Sequence, residues 1–483
     1  MGCGSSQPPP PPPPVEKKKK RKRAIDKLED SGEEASSPSS DPSMKAVAKA
    51  IVEATKDLGP WKVSDLTAGL YYLRKKHGAM REEEVATGEH AYSGYPRVKE
   101  KSVVEEMVAQ TRLINATYLG SDAALLEATH WDESALVRTS WESSPGQPGF
   151  YLARLEEERM LVLGVRGTAS ASDALTDAAA AVEPCLGGFA HRGIHSAATW
   201  LMNALLDEFL AAIDDELAIV TLGHSLGGGT AALVAMLLHD EEPSADISSF
   251  VIAPACVVSL ELAESAVDYV TTVIHADDIV PRLSTRALIN LRQEVKDNPW
   301  KDEAIAAAKN SKVGKAASSA ISSAASSKVG GAAVKGGSKA GKAAKSGGER
   351  AGKAAMGGAR AAGNAIRARG GRGGGRGGRG GRGGGRGGGR GGRGGGGGGE
   401  SGGGRSEVVN LFPPGNIYHL HRFLSDDYML TDVPNATFEN VFLSKTMLRD
   451  HSSDLYLDGL VDVAYRLKDK KKSKAKPKPV EDE

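Results

Sequence analysis

Apolar and polar positions change their rhythm several times along the 483 residues, and each change marks an element. Across 46–58 and 67–77 apolar residues recur every three to four positions, the period of a helix with one buried face. Residues 102–125 repeat it through Val103, Val104, Met107, Val108, Leu113 and Ile114. These segments predict helices leading into a globular domain. The rhythm then shortens. Residues 149–154 and 160–165 predict strands around the acidic turn Glu156-Glu157-Glu158. Helical spacing resumes over 194–213, and strands follow at 250–253 and 269–274. Strands alternating with helices predict an α/β fold, a mostly parallel sheet covered on both faces. Reactive groups then gather beyond the C-terminal ends of the strands.

After about residue 298 the pattern stops. An Ala/Ser/Lys/Gly stretch reaches about residue 368, and an Arg-Gly-Gly tract covers 369–399. Neither can bury apolar surface, so both are expected to lack fixed structure. Globular patterning returns at Val408-Val409-Asn410-Leu411-Phe412 and Ile417-Tyr418-His419-Leu420, which makes the stretch a long insert within one domain. The organisation expected is an anchor over 1–45, a helical extension over 46–94, a domain in two parts over 95–293 and 407–468, the insert over 294–406, and a basic tail over 469–483.

Composition sharpens this picture. With 60 glycines, 23 prolines and 5% aromatic residues, much of the chain is not expected to pack. The net charge of +1 conceals a segregation: 91–290 holds 11 Lys/Arg against 28 Asp/Glu, and 291–406 holds 24 against 6. Three scattered cysteines, Cys3, Cys185 and Cys256, cannot make a disulfide framework, which points to a reducing compartment. No apolar run is long enough to span a bilayer, and a secretory signal core is lacking, so secretion is not expected.

Met1-Gly2-Cys3-Gly4-Ser5-Ser6 fits N-myristoylation at Gly2, with Cys3 placed for palmitate. A proline run leads to Lys17-Lys18-Lys19-Lys20-Arg21-Lys22-Arg23. One acyl chain binds membranes marginally, whereas two chains, or one with a polybasic patch, anchor stably. The expected location is the cytoplasmic face of a membrane with anionic lipid, the plasma membrane in the first place.

The chemistry starts at Gly223-His224-Ser225-Leu226-Gly227, a G-x-S-x-G motif between the apolar run 217–222 and an Ala/Leu-rich helix pattern over 228–238. Strand, tight turn and helix are the context in which this motif lifts a serine hydroxyl out of a sheet, with helical N–H groups behind it. A serine needs a base, and the base needs an acid to orient it. In α/β hydrolases the order is Ser, acid, His. Acid candidates lie in Ala276-Asp277-Asp278-Ile279-Val280-Pro281-Arg282, just past the strand ending at Ile274.

Arg166-Gly167-Thr168, Gly223-His224-Ser225-Leu226-Gly227-Gly228 and Asp278-Ile279-Val280-Pro281-Arg282 together resemble the landmarks of the class 3, fungal-type lipases, in that order and spacing. Asp173-Ala174-Leu175-Thr176-Asp177, Leu411-Phe412-Pro413-Pro414-Gly415 and Met447-Leu448-Arg449-Asp450-His451 make the chain most similar to the sn-1-specific diacylglycerol lipase branch. The resemblance covers roughly 95–293 and 407–465. It implies an α/β-hydrolase fold, with Ser225 as nucleophile, Asp278 as acid and His451 as base, and with Asp277 a solvated or loop-bonding neighbour. His419 and His421, in a strand pattern, stand as rivals for the base; His224 lies in the elbow and is taken to point elsewhere. The oxyanion donors implied are Leu226 and Thr168. Arg166 and Arg282 are expected to be structural, paired with acids such as Asp173 or Asp177, and His191 to be a packing residue. No cofactor and no metal is implied.

The reaction implied is hydrolysis of an acylglycerol, diacylglycerol first, with phospholipid, galactolipid or monoacylglycerol as alternatives. Arg-Gly-Gly tracts also contact RNA, so a scaffold that binds nucleic acid on a hydrolase fold is the second, less favoured reading. Here the tract separates Asp278 from His451, which suggests an electrostatic lid: deleting 300–404 should raise activity on a soluble ester and weaken binding to anionic vesicles.

Overall fold

Five strands with apolar residues on both faces pair in parallel: β3 (Met160–Val165), β6 (Ala218–His224), β7 (Ile247–Ile252), β8 (Val270–His275) and β9 (Asn416–His421). The computed structural model describes residues 42–87, 92, 94–168, 181–302, 408–422 and 427–472. β2 (Phe150–Leu155) adds antiparallel to β3, β1 (Leu136–Ser140) adds antiparallel to β2, and β10 (Met429–Val433) adds antiparallel to β9. The eight strands follow the order β1-β2-β3-β6-β7-β8-β9-β10, a parallel centre with antiparallel margins. β8 and β9 register Thr271 on Asn416 through His275 on Leu420. Segments on either side of 303–407 therefore share one sheet.

The two-residue period divides the core between the faces of the sheet. Leu161, Leu163 and Val165 of β3 join one cluster, with Ile219 and Val251, while Val162 joins the other, with Leu222, Phe250 and Val273. The second face is covered by helices α3 (Lys101–Ala116) and α10 (Ser453–Lys472), which bring Val104, Met107, Ile114, Tyr456 and Leu460. On the first face lie α5 (Arg192–Ala204), α6 (Leu206–Asp214), α7 (Ser225–Glu241), buried over most of its length, and the short α8 (Leu260–Ser265).

Helices α1 (Pro42–Ala54) and α2 (Val63–Thr87) are not appended to this domain; they join its core. Met44, Val47, Ile51, Leu66, Leu70 and Leu73 belong to the same cluster as the sheet's first face. They lie against α9 (Thr285–Asp297), and the approach is so close that a Cβ on Gly69 would sit 2.4 Å from Val295 Cγ1.

Several elements depart from the periodicity. The pattern over 102–125 breaks at Gly120, whose φ is +78°, and α4 (Asp122–Thr129) restarts with Ser121 accepting from the Ala124 N–H. The stretch 194–213 breaks at Leu205 into α5 and α6. β1, β10 and a small hairpin of β4 (Val182–Cys185) and β5 (Gly188–His191) carry too little alternation to stand out, because they are short and lie at edges. Gly2, Cys3, the polybasic run, Asp173, Asp177 and nearly all of the Ala/Lys and Arg-Gly-Gly insert lie outside the described residues. Among the described residues no helix is long and apolar enough to cross a membrane, and Cys185 and Cys256 are buried free thiols.

Candidate active site

β6 passes into α7 with Ser225 at φ +59°, a left-handed backbone that a side chain tolerates only when its surroundings enforce it. They enforce it by close backbone approach. A Cβ on Gly227 would stand 2.5 Å from the Arg166 carbonyl carbon, and one on Gly167 would stand 2.3 Å from His224 O and 3.2 Å from Ser225 Cβ. The Arg166-Gly167-Thr168 strand end and the serine turn are thus pressed together, and only glycine permits it.

The structure brings Ser225, His451 and Asp278 together from three separate elements. Ser225 Oγ donates to His451 Nε2 at 2.9 Å, and His451 Nδ1 donates to Asp278 Oδ2 at 2.9 Å and Oδ1 at 3.1 Å. All three are buried. Asp278 follows β8, and its carboxylate also accepts from Tyr456 OH at 2.7 Å and from the Val280 N–H at 2.9 Å. Burial resists ionisation of Asp278, but His451 and the hydrogen bonds from His451, Tyr456 and Val280 outweigh it, leaving the carboxyl below its ordinary range. Burial, then the adjacent Asp278, pushes the Tyr456 hydroxyl far up, so it stays a neutral donor.

The rivals for the base stand elsewhere. His419 donates from Nε2 to the Ala276 carbonyl at 2.8 Å, and His421 Nε2 meets Thr431 Oγ1 at 3.0 Å. Neither contacts Ser225.

His224 and His275 contribute in a way that sequence reasoning missed. Buried His224 donates from Nε2 to the His451 carbonyl at 2.9 Å and accepts from Tyr118 OH at 2.8 Å. Buried His275 donates from Nδ1 to the Asp450 carbonyl at 3.1 Å and accepts from Tyr428 OH at 3.0 Å. Two histidines thus hold consecutive carbonyls of the segment that carries His451. Burial, then the charge of His451, lowers His224 to about 3, and burial lowers His275 to about 4. Both are neutral near pH 7, and the carbonyl on His224 Nε2 and on His275 Nδ1, which can only accept, fixes the tautomer of each. The signal in the sequence was a histidine at the end of β6 and another at the end of β8, which periodicity alone does not assign.

Asp277 is not solvated. It is buried and pairs with Arg81 of α2 at 2.7 Å, while its N–H donates to Asp450 Oδ2 at 3.2 Å. Arg166 donates to the Trp141 carbonyl at 3.1 Å, and Arg282 lies 4.6 Å over the Phe438 ring. His191 caps α5 by accepting from the Ile194 N–H at 3.2 Å.

Thr168 and Leu226, from two chain segments, line one cavity of about 1510 Å3. The Thr168 hydroxyl is buried and, among the described residues, has no hydrogen-bond partner. An unpartnered buried donor at that point is suited to an oxyanion that forms only during reaction. Among the described residues no group of three or more His, Cys, Asp or Glu is placed to hold a metal ion.

Residues 162–288 match the model of the family Lipase (class 3). The chain is 29% identical over 183 residues to diacylglycerol lipase-beta of Mus musculus, covering 36% of this chain and 27% of that one. It is 29% identical over 177 residues to diacylglycerol lipase-alpha of Homo sapiens, covering 34% and 17%. The match therefore spans about a quarter or less of these relatives' length. A crystal structure of the lipase from Rhizopus microsporus var. chinensis is similar with a TM-score of 0.34 and 20% identity, over 40% of this chain and 73% of that one.

Proposed function

We propose that this chain, whose residues 162–288 match the class 3 lipases, is a serine lipase that cleaves fatty-acyl esters of acylglycerols, diacylglycerol first. The observation that carries the reading is the continuous hydrogen-bond line from Ser225 Oγ through His451 to Asp278, set beside the unpartnered Thr168 hydroxyl.

The geometry supports acyl transfer in two halves. Ser225 Oγ attacks the ester carbonyl while His451 Nε2 takes its proton, and Asp278 holds the resulting imidazolium in place. Negative charge on the carbonyl oxygen falls towards the Thr168 hydroxyl and the Leu226 N–H. His451 returns the proton to the leaving glyceride oxygen. Water, deprotonated by His451, then attacks the acyl-serine, and the fatty acid leaves as Ser225 recovers its proton.

Labelling by a fluorophosphonate probe, and its loss in Ser225→Ala, tests the nucleophile. Fatty-acid release from diacylglycerol, triacylglycerol, monoacylglycerol and phospholipid vesicles tests the substrate. No release from any acylglycerol by a protein that still labels would overturn the lipase reading. Attachment to membranes through Gly2, Cys3 and the polybasic run belongs to the same proposal. Gly2→Ala should move the protein from the membrane to the soluble fraction, and an unchanged distribution would remove this part.

A further inference from the structure

The cavity that opens at Thr168 and Leu226 does not end within the matched residues 162–288. Its lining runs on to Ala50, Val52 and Val63 of α1 and α2 and to Trp141 and Pro145 of the β1–β2 connection, an arm outside that match. Exposed Lys49 and Glu53, one helical turn apart on α1, add charge to this arm. At about 1510 Å3 it exceeds the roughly 300–1,000 Å3 of an ordinary small-molecule site.

The wall is fixed to the rest of the site. Arg292 of α9 donates to the carbonyls of Thr55 at 2.9 Å and of Leu58 and Gly59 at 3.1 Å, which ties down the end of α1. His77 of α2 pairs with Glu294 at 3.2 Å and accepts from the Leu443 N–H at 3.1 Å. Arg81 reaches Asp277, beside the proposed acid. A helix pair held at its turn, its middle and its end keeps one position while a ligand exchanges.

Resting on the lipase reading above, we infer that the α1–α2 pair is the outer wall of the acyl subsite, and that Val52 and Val63 set the length of fatty-acyl chain the enzyme accepts. A chain bound at Thr168 and Leu226 extends between Val52 and Trp141. Short esters never reach that far, so the wall bears on long chains alone.

The test uses the full chain with p-nitrophenyl butyrate and palmitate, comparing wild type with Val52→Trp and Val63→Trp. Neither residue belongs to the reacting group. The palmitate-to-butyrate ratio of kcat/KM is expected to fall at least about tenfold, with butyrate cleavage within about twofold of wild type. An unchanged ratio, or parallel loss on both esters at an unchanged melting temperature, overturns the wall. Should tryptophan prevent folding, Val52→Ala and Val63→Ala widen the arm, and a ratio that does not rise overturns it equally. A wild type that cleaves neither ester removes the lipase reading itself, and the subsite with it.

Discussion

His224 donates its Nε2–H to the main-chain carbonyl of His451 at 2.9 Å, so the residue before the proposed nucleophile holds the proposed base from behind. Its ring lies 4.7 Å from that of His451, and its low pKa keeps it neutral, which avoids setting a second cation against the imidazolium of the proposed reaction. Removing the donor leaves a buried carbonyl unpaired, at about 1–3 kcal/mol. His224→Ala is expected to lower kcat roughly 10- to 100-fold with KM nearly constant, and His224→Gln, which can offer an amide N–H, to recover part of it. Steady-state kinetics on a soluble ester decide, and a change in KM alone would refute the positioning role.

Thr168 supplies a hydroxyl that nothing else among the described residues uses. Thr168→Val keeps the shape and removes the donor, so kcat should fall roughly 100- to 1,000-fold while substrate affinity holds. Thr168→Ser should stay within about tenfold of wild type. Equal rates in the valine and serine variants would assign the hydroxyl no part in stabilising the oxyanion.

Asp450, buried next to Asp277, is raised from 3.8 to about 6, chiefly by burial and, after the opposing Thr446 hydrogen bond, by the like charge of Asp277. The folded state therefore holds this proton more tightly than the unfolded state. The stability it contributes is complete below about pH 4 and is lost as pH rises through about 6, on the order of 2–3 kcal/mol at most. Asp450→Asn can still accept from Thr446 Oγ1 and the Asp277 N–H. Its melting temperature should exceed that of wild type at pH 8 and match it near pH 4. A difference independent of pH would show that the carboxyl does not titrate in this range.

Arg292 satisfies three carbonyls at the end of α1, two of them through one nitrogen, and lies 5.2 Å over the Trp61 ring. Arg292→Met keeps much of the apolar stem and loses the donors, which should cost about 2–4 kcal/mol. Limited proteolysis should then cut first within 42–60, ahead of global unfolding. Uniform protection of that segment would show that α1 is held by its apolar face alone.

The strand, turn and helix around Ser225, the aspartates just beyond β8, and the parallel centre of the sheet were legible from the chain because each is a local pattern. Periodicity of two or 3.6 and the placement of glycines act within about ten residues. Bringing His451 onto Ser225 is a contact across 226 positions, and the support of its carbonyl by His224 spans 227. No periodicity records such pairs, so His419 and His421 could not be separated from His451 by spacing. Nor could α1 and α2 be read as more than an extension. Their apolar faces announce burial without saying against what, and only the close approach of Gly69 to Val295 and the reach of Arg81 to Asp277 decide it. What the sequence by itself determined is where the central strands and helices form and where the proposed nucleophile sits. The tertiary structure alone decided which partners meet there, since those contacts come from packing between distant segments.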